Sequence, residues 1–167
     1  MRTQEEIAAC CREKTAVDFN FWPNVLLCFL DYEHAREFLE PGFPADQWNT
    51  RGNTCGGEAP RHDRVLVEAD IPEQLAGYMR FAWTKVRGHR GISAGLSVEK
   101  LAALAWLLGD DDVVAFAEDD RNYPRYGAPI LRYICERYGL PIPDDEGLRR
   151  MARGEPCMAY CPNGCGG

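Results

Sequence analysis

Asp70-Ile-Pro-Glu-Gln-Leu-Ala-Gly-Tyr-Met-Arg-Phe-Ala-Trp-Thr-Lys-Val86, followed after ten residues by Ser97-Val-Glu-Lys-Leu-Ala-Ala-Leu-Ala-Trp-Leu-Leu-Gly109, decides the fold class. In the first segment Leu75, Tyr78, Met79, Ala82, Trp83 and Val86 recur at three- and four-residue steps, the period of one helix face. Asp70 stands where an N-cap belongs, and Pro72 lies in the first turn, where its missing N–H is no loss. In the second segment Ser97 reads as a cap, Leu101, Leu104, Ala105 and Leu108 as the apolar stripe, and Gly109 as the stop. Neither segment alternates with the period of two that a half-buried strand requires.

The same signals recur in both directions from this pair. Thr3-Gln-Glu-Glu6 has the form of a capping box, which predicts a first helix to about Lys14. Pro23 suits the first turn of a second, with Leu26, Leu27, Leu30, Ala35, Phe38 and Leu39 inward. Asp110–Asp112 begin a short helix carrying Val113, Val114, Phe116 and Ala117. Pro129 opens another and Gly139 closes it, and Asp144 or Asp145 caps a last one from about Glu146 to Arg153. Arg64–Glu68 reads as a short strand whose partner would be Ala16–Phe21. The expectation is a mainly α, compact bundle of six or seven short helices with one small β-ribbon. Residues 1–154 form a single domain with an irregular long loop over 40–63, and 155–167 form a Cys-rich tail. The loop holds three prolines and four glycines and is too long for a silent connector.

A net charge of −7, from 26 acidic and 19 basic side chains, argues against broad contact with a phosphate backbone, so direct nucleic-acid binding is disfavoured. The N-terminus turns polar and acidic where a signal peptide would be apolar. The longest apolar runs, Val25–Leu30 and Leu101–Leu108, fall far short of the ~20 residues that span a bilayer. The expectation is a cytoplasmic protein with no membrane partner. In a reducing compartment its eight cysteines are expected as thiols or metal ligands.

Catalytic signatures are missing. There is no Gly-x-Ser-x-Gly, phosphate-binding loop, His-Glu-x-x-His or dinucleotide fingerprint, and His34, His62 and His89 fall in no motif. No catalytic residue is assigned. The remaining enzymatic alternative is a small thiol enzyme with Cys55 as nucleophile and His62 as base.

Two charged segments carry the binding readings. Asp110, Asp111, Asp112, Glu118, Asp119 and Asp120 place six carboxylates within eleven residues, followed by Tyr123 and Tyr126. Asp110–Asp112 suit a helix N-terminus on electrostatic grounds alone, but Glu118–Asp120 at its C-terminal end oppose the dipole and lack that explanation. They suggest an acidic face for a basic partner, with the tyrosines as anchors. Arg80-Phe-Ala-Trp-Thr-Lys-Val-Arg-Gly-His-Arg90 has the opposite sign. Its cations Arg80, Lys85, Arg87 and Arg90, interleaved with Phe81 and Trp83, are the alternative: a zinc-stabilised nucleic-acid-binding module. Opposite charges on one chain also admit homo-oligomers.

The tail offers Cys157, Cys161 and Cys165. On a helix the first and last would stand about 12 Å apart, too far to share a metal whose sulfur ligands lie at ~2.3 Å. Pro162 and Gly164 disfavour that helix. A looped tail could wrap one zinc with a fourth ligand, for which Cys55, in a similar Cys-Gly-Gly context, is the candidate.

Trp106-Leu-Leu-Gly-Asp-Asp111, Asn122-Tyr-Pro-Arg-Tyr-Gly-Ala-Pro-Ile-Leu131 and Ile134-Cys-Glu-Arg-Tyr-Gly139, with Ile92-Ser-Ala-Gly-Leu-Ser97 before them, resemble a pattern in small uncharacterised proteins of phages and mobile genetic elements. The resemblance covers about residues 90–140 and attaches no activity. It implies an accessory protein that binds host machinery, as inhibitors of CRISPR systems do. The leading reading is therefore a non-enzymatic interaction protein, an anti-CRISPR-like inhibitor that occludes a basic or nucleic-acid-binding surface of a host protein or protein–nucleic acid complex. The tail reading predicts one zinc per chain in protein purified without chelator; elemental analysis finding none would return these cysteines to plain thiols.

Overall fold

The computed structural model describes residues 1–17, 22–48, 64–123 and 125–155, and it is mainly α. Helix α5 (Gly91–Leu107) is its axis. Ala94, Val98, Leu101, Ala103, Leu104 and Leu107 are each at most 1% exposed, and Ala102 and Ala105, on other sides of the helix, are equally enclosed. A helix that is apolar all round has to be covered all round. α4 (Ile71–Arg87) runs beside it, α2 (Trp22–Leu26) and α6 (Asp111–Glu118) cover other sides, and α7 (Ala128–Tyr138) packs on α4 and α6. α8 (Glu146–Ala152) closes over α7. Lys100 is buried in this apolar setting with its ammonium 5.3 Å from the centre of the Tyr78 ring, a cation–π placement.

The stops read from sequence are in place. Gly109 and Gly139 take left-handed backbone at φ +84° and +65°, and Asp110 and Asp145 cap α6 and α8 through their carboxylates. α5 itself begins at Gly91, six residues before the expected cap, and Ser97 lies buried inside it with its Oγ donating to the Ser93 carbonyl at 2.9 Å. The cause is tertiary. A Cβ on Gly91 would come within 2.9 Å of the Tyr126 ring, and one on Gly95 within 2.8 Å of the Tyr123 hydroxyl. The two glycines make room for the tyrosines, so residues that read as breakers form the first turns.

α1 (Gln4–Val17) starts on the expected capping box: Glu6 N–H donates to Thr3 Oγ1 at 3.2 Å, and Thr3 N–H to Glu6 Oε2 at 2.8 Å. Two side chains at its start tie down the rest. Arg2 donates to the Trp106 carbonyl at 3.1 Å, lies over the Trp106 ring, and pairs with Asp111 at 2.5 Å, so it joins the end of α5 to the start of α6. Gln4 donates to the Phe29 carbonyl at 2.7 Å and accepts from Asp31 N–H at 2.8 Å.

That second clamp breaks the helix expected over residues 23–39. α2 gives way to a 3₁₀ turn at Leu27–Phe29, Leu30 is extended, and Asp31 caps a new short helix, α3 (Tyr32–Ala35). The apolar spacing survives the break, so periodicity alone did not reveal it. The β-ribbon is also corrected: no strand occurs among the described residues. Ala16 and Val17 belong to α1. Leu66 N–H makes one hydrogen bond, to the Cys28 carbonyl at 2.9 Å, and Glu68–Asp70 turn into a 3₁₀ helix. Trp48, buried with its indole donating to the Leu30 carbonyl at 3.1 Å, anchors the first part of the long loop, while 49–63 and the tail from 156 lie outside the described residues. Cys10, Cys11 and Cys135 are not in disulfides, but Cys28 is disulfide-bonded, against the expectation of thiols or metal ligands. No helix among the described residues is long and apolar enough to cross a membrane.

Two glycines give opposite expectations. Gly77, in the middle of α4 with open space where a Cβ would go, should become more stable as Gly77→Ala by about 0.5–1 kcal/mol. Gly127, at φ +79° with a Cβ position 3.0 Å from Val98, should lose roughly 1–2 kcal/mol as Gly127→Ala. Urea unfolding of both variants checks the pair; equal signs would contradict the described corner at 125–127.

Candidate docking surface

The acidic segment does not act as one face. Asp110 is mostly enclosed, its side chain 12% exposed. It accepts from Arg137 Nε at 2.5 Å, from the Tyr138 hydroxyl at 2.7 Å and from Val113 N–H at 3.4 Å. Burial alone would raise its pKa, but these donors together outweigh it and hold the carboxyl below its usual range. Asp112 stands beside the same Arg137 at 3.2 Å. Asp119 is held by the fork of Arg121, at 2.9 and 2.6 Å, and caps the 3₁₀ turn Asp120–Asn122; chiefly through Arg121 its pKa falls to about 2. These three carboxylates have structural partners.

Asp111 and Glu118 are also paired, with Arg2 and Lys14, but together with Asp120 they are exposed. With Tyr123 they line two adjoining grooves that share Lys14 and Glu118. The larger, about 440 Å³, lies between α1 and α6, with Glu6 and Glu13 on one wall, Asp111 and Glu118 on the other, and Trp106 and Val114 among its apolar lining. The smaller, about 250 Å³, continues between α5 and the end of α6, where Glu99, Asp120 and Tyr123 meet Val98 and Ala102. Lys14 Nζ lies 3.6 Å from Glu118 Oε1 at the junction. The result is one trench lined by six carboxylates and one ammonium, with aromatic surface in each half. Burial, then the charge of Glu99, raises the Tyr123 pKa to about 12, so its hydroxyl remains a donor at neutral pH.

Glu6, Glu13 and Glu99 were missed from sequence. The signal that existed was the seven-residue spacing of Glu6 and Glu13, which places them on one face of α1. Nothing in the pattern said that this face meets α6. Tyr126, expected beside Tyr123 as an anchor, lies elsewhere, against Gly91 and edge-on to His89 at 5.7 Å between ring centres. Arg125, Tyr126 and His89 all adopt left-handed backbone, which costs a non-glycine residue energy. Arg125 is fixed there by donating to the Glu155 carbonyl at 3.1 Å.

Of the basic segment, Lys85 lies over the Phe81 ring at 4.2 Å and Arg87 pairs with Asp145 at 3.2 Å, while Arg80 and Arg90 are exposed. Trp83 is buried and is not offered for stacking. Cys157, Cys161, Cys165, Cys55 and His62, the proposed zinc and thiol residues, lie outside the described residues. Within them no group of three metal-binding side chains occurs.

Asp110→Ala removes a cap and two charge-assisted partners at once and should cost roughly 2 kcal/mol, against less than about 1 kcal/mol for exposed Asp111→Ala. Because the folded protein depresses the Asp110 pKa, its contribution is present above the ordinary value of 3.8 and disappears as pH falls through the lower folded value. Asp110→Asn should therefore flatten the loss of stability as pH falls below about 4, as read by denaturant melts at each pH. An unchanged slope would remove the carboxylate from the cap network.

No family model, curated protein or solved structure matches this chain.

Proposed function

We propose that this chain is a non-enzymatic binding protein that seats its acidic trench on a basic surface of a host protein or protein–nucleic acid complex, occluding a site that otherwise holds nucleic acid. The observation that carries the reading is the ratio of six carboxylates to one ammonium around a groove that also offers Trp106 and Tyr123. Such a groove suits arginine and lysine side chains, whose stems pack on apolar surface while their heads meet carboxylates. The net charge of −7 accelerates encounter with a basic partner, and desolvated contacts in the trench slow its release. The division of labour within residues 110–120 supports it as well. Asp110, Asp112 and Asp119 are paired with Arg137 and Arg121. Of the trench carboxylates, Asp111 pairs with Arg2 and Glu118 with Lys14, while Glu13 and Asp120 have no ion pair among the described residues and are open to an outside cation. This is the behaviour expected of an inhibitor carried by a phage or mobile element, including an anti-CRISPR-like one, and the resemblance of residues 90–140 points the same way.

Glu13 and Asp120 line opposite halves of the trench, and neither side chain has an ion pair among the described residues. The double reversal Glu13→Lys/Asp120→Lys should leave the fold intact and weaken partner binding by roughly tenfold to a hundredfold, with a reduced dependence on salt. Tagged wild-type and reversed proteins would be compared in pull-downs from host cells, with and without nuclease. A stoichiometric protein captured by the wild type, resistant to nuclease and lost with the double variant is the expected result. Equal capture by both, or capture of nucleic acid alone, would overturn the reading.

A further inference from the structure

A second groove lies apart from the trench residues, between the C-terminal half of α4 and the segment that follows α7, and it has different chemistry. Its volume is about 230 Å³, just below the range of roughly 300 Å³ and upward typical of drug-sized ligands. Met79 and Trp83 form one side and Leu140, Pro141 and Pro143 the other. Both sides are set by rigid backbone. Met79 and Trp83 sit four residues apart on one face of α4, at most 3% exposed. Gly139 closes α7, after which Leu140 N–H bonds back to the Cys135 carbonyl at 2.9 Å, and two prolines hold the chain extended. The groove is thus preformed.

Its polar groups are few and cationic. The Trp83 indole N–H is buried, with no hydrogen-bond partner among the described residues. The Thr84 hydroxyl is committed to the Arg80 carbonyl at 3.1 Å, and the Arg87 Nε to Asp145 at 3.2 Å. The Arg80 guanidinium is left, exposed at the rim, with no hydrogen bond or ion pair among the described residues. We infer that this groove binds a small apolar carboxylate, its hydrocarbon part between Met79, Trp83 and Pro141 and its carboxylate on Arg80. A cation is excluded by the two arginines at the rim. Arg87 shares its charge with Asp145, so the one unneutralised fork, on Arg80, matches a carboxylate in a bidentate pair, whereas a phosphate dianion would keep an uncompensated charge on a molecule of net charge −7. The apolar surface supplies affinity and the arginine supplies orientation.

The test uses methionine labelled with ¹³C at the methyl group and titration of the full chain with 1-naphthoate. The Met79 methyl signal, assigned with Met79→Leu, should shift saturably while those of Met1 and Met151 stay in place. The uncharged 1-naphthalenemethanol should bind roughly tenfold more weakly. Arg80→Gln should lower naphthoate affinity to that of the alcohol and leave the alcohol unaffected, because the Arg80 side chain has no hydrogen bond or ion pair among the described residues and its carbonyl, which holds Thr84, is retained. Ala76→Leu, which narrows the groove from α4, should abolish the binding of both. A Met79 signal that does not move at millimolar naphthoate, equal affinity for the two probes, or undiminished naphthoate binding by Arg80→Gln would each overturn the inference.

Discussion

The structure depends on the need to enclose the apolar C-terminal half of α5, residues 101–107. Ala102, Ala103 and Ala105 let neighbouring helices approach closely, and Leu101, Leu104 and Leu107 fill the space between them. At about 25 cal/mol per Å² of apolar surface, this burial is the dominant favourable term available to the fold. α4 covers one side as the longest partner, α2 and α6 cover others, and α1 is fastened across the end of α5 by Arg2. Arg2 is a cation at a helix C-terminus, where the unsatisfied carbonyls favour it. It also pairs with Asp111, so the same residue ties the end of α5 to the first turn of α6.

Electrostatics then divides the surface. A chain of net charge −7 repels itself, and the fold answers with local pairs rather than uniform spacing. Arg137 takes Asp110 and Asp112, Arg121 takes Asp119, and Arg2 takes Asp111. Exposed pairs of this kind contribute little each, but the enclosed Asp110 network is different, because an unpaired carboxylate there would be desolvated without compensation. Glu6, Glu13, Asp111 and Glu118 gather where α1 meets α6. That local excess is a consequence of packing, since Glu6 and Glu13 are about a hundred residues away in sequence from the acids they join.

Much of the helical plan was legible. The capping box at Thr3, the caps at Asp110 and Asp145, and the stops at Gly109 and Gly139 all depend on interactions within a few residues. Such interactions are encoded by local spacing. The failures share the opposite property. The break at Leu30 is made by Gln4, 25 residues from the carbonyl it binds. The early start of α5 is made by tyrosines about 30 residues downstream. The strand at 64–68 had β-branched composition but no neighbour to complete a ladder, and strand propensity without a partner edge carries little weight. For the candidate site, Asp111, Glu118, Asp120 and Tyr123 were legible as an unusual cluster, whereas Glu6 read only as part of a capping box and nothing in the pattern singled out Glu13, Glu99 or Lys14.

The sequence by itself determined a mainly α chain, its helix starts and stops wherever caps are local, a central helix too apolar to face water, and a strongly acidic balance. These follow from periodicity, side-chain chemistry at helix ends and charge, none of which needs a distant contact. Only the tertiary structure decided which carboxylates join the enclosed Asp110 network, which ones line an open trench, and that the two tyrosines of one loop part company on α5. It also placed Arg80 above an apolar groove. Each of these depends on side chains far apart in the chain meeting across helix interfaces, a pairing that spacing along one helix does not specify.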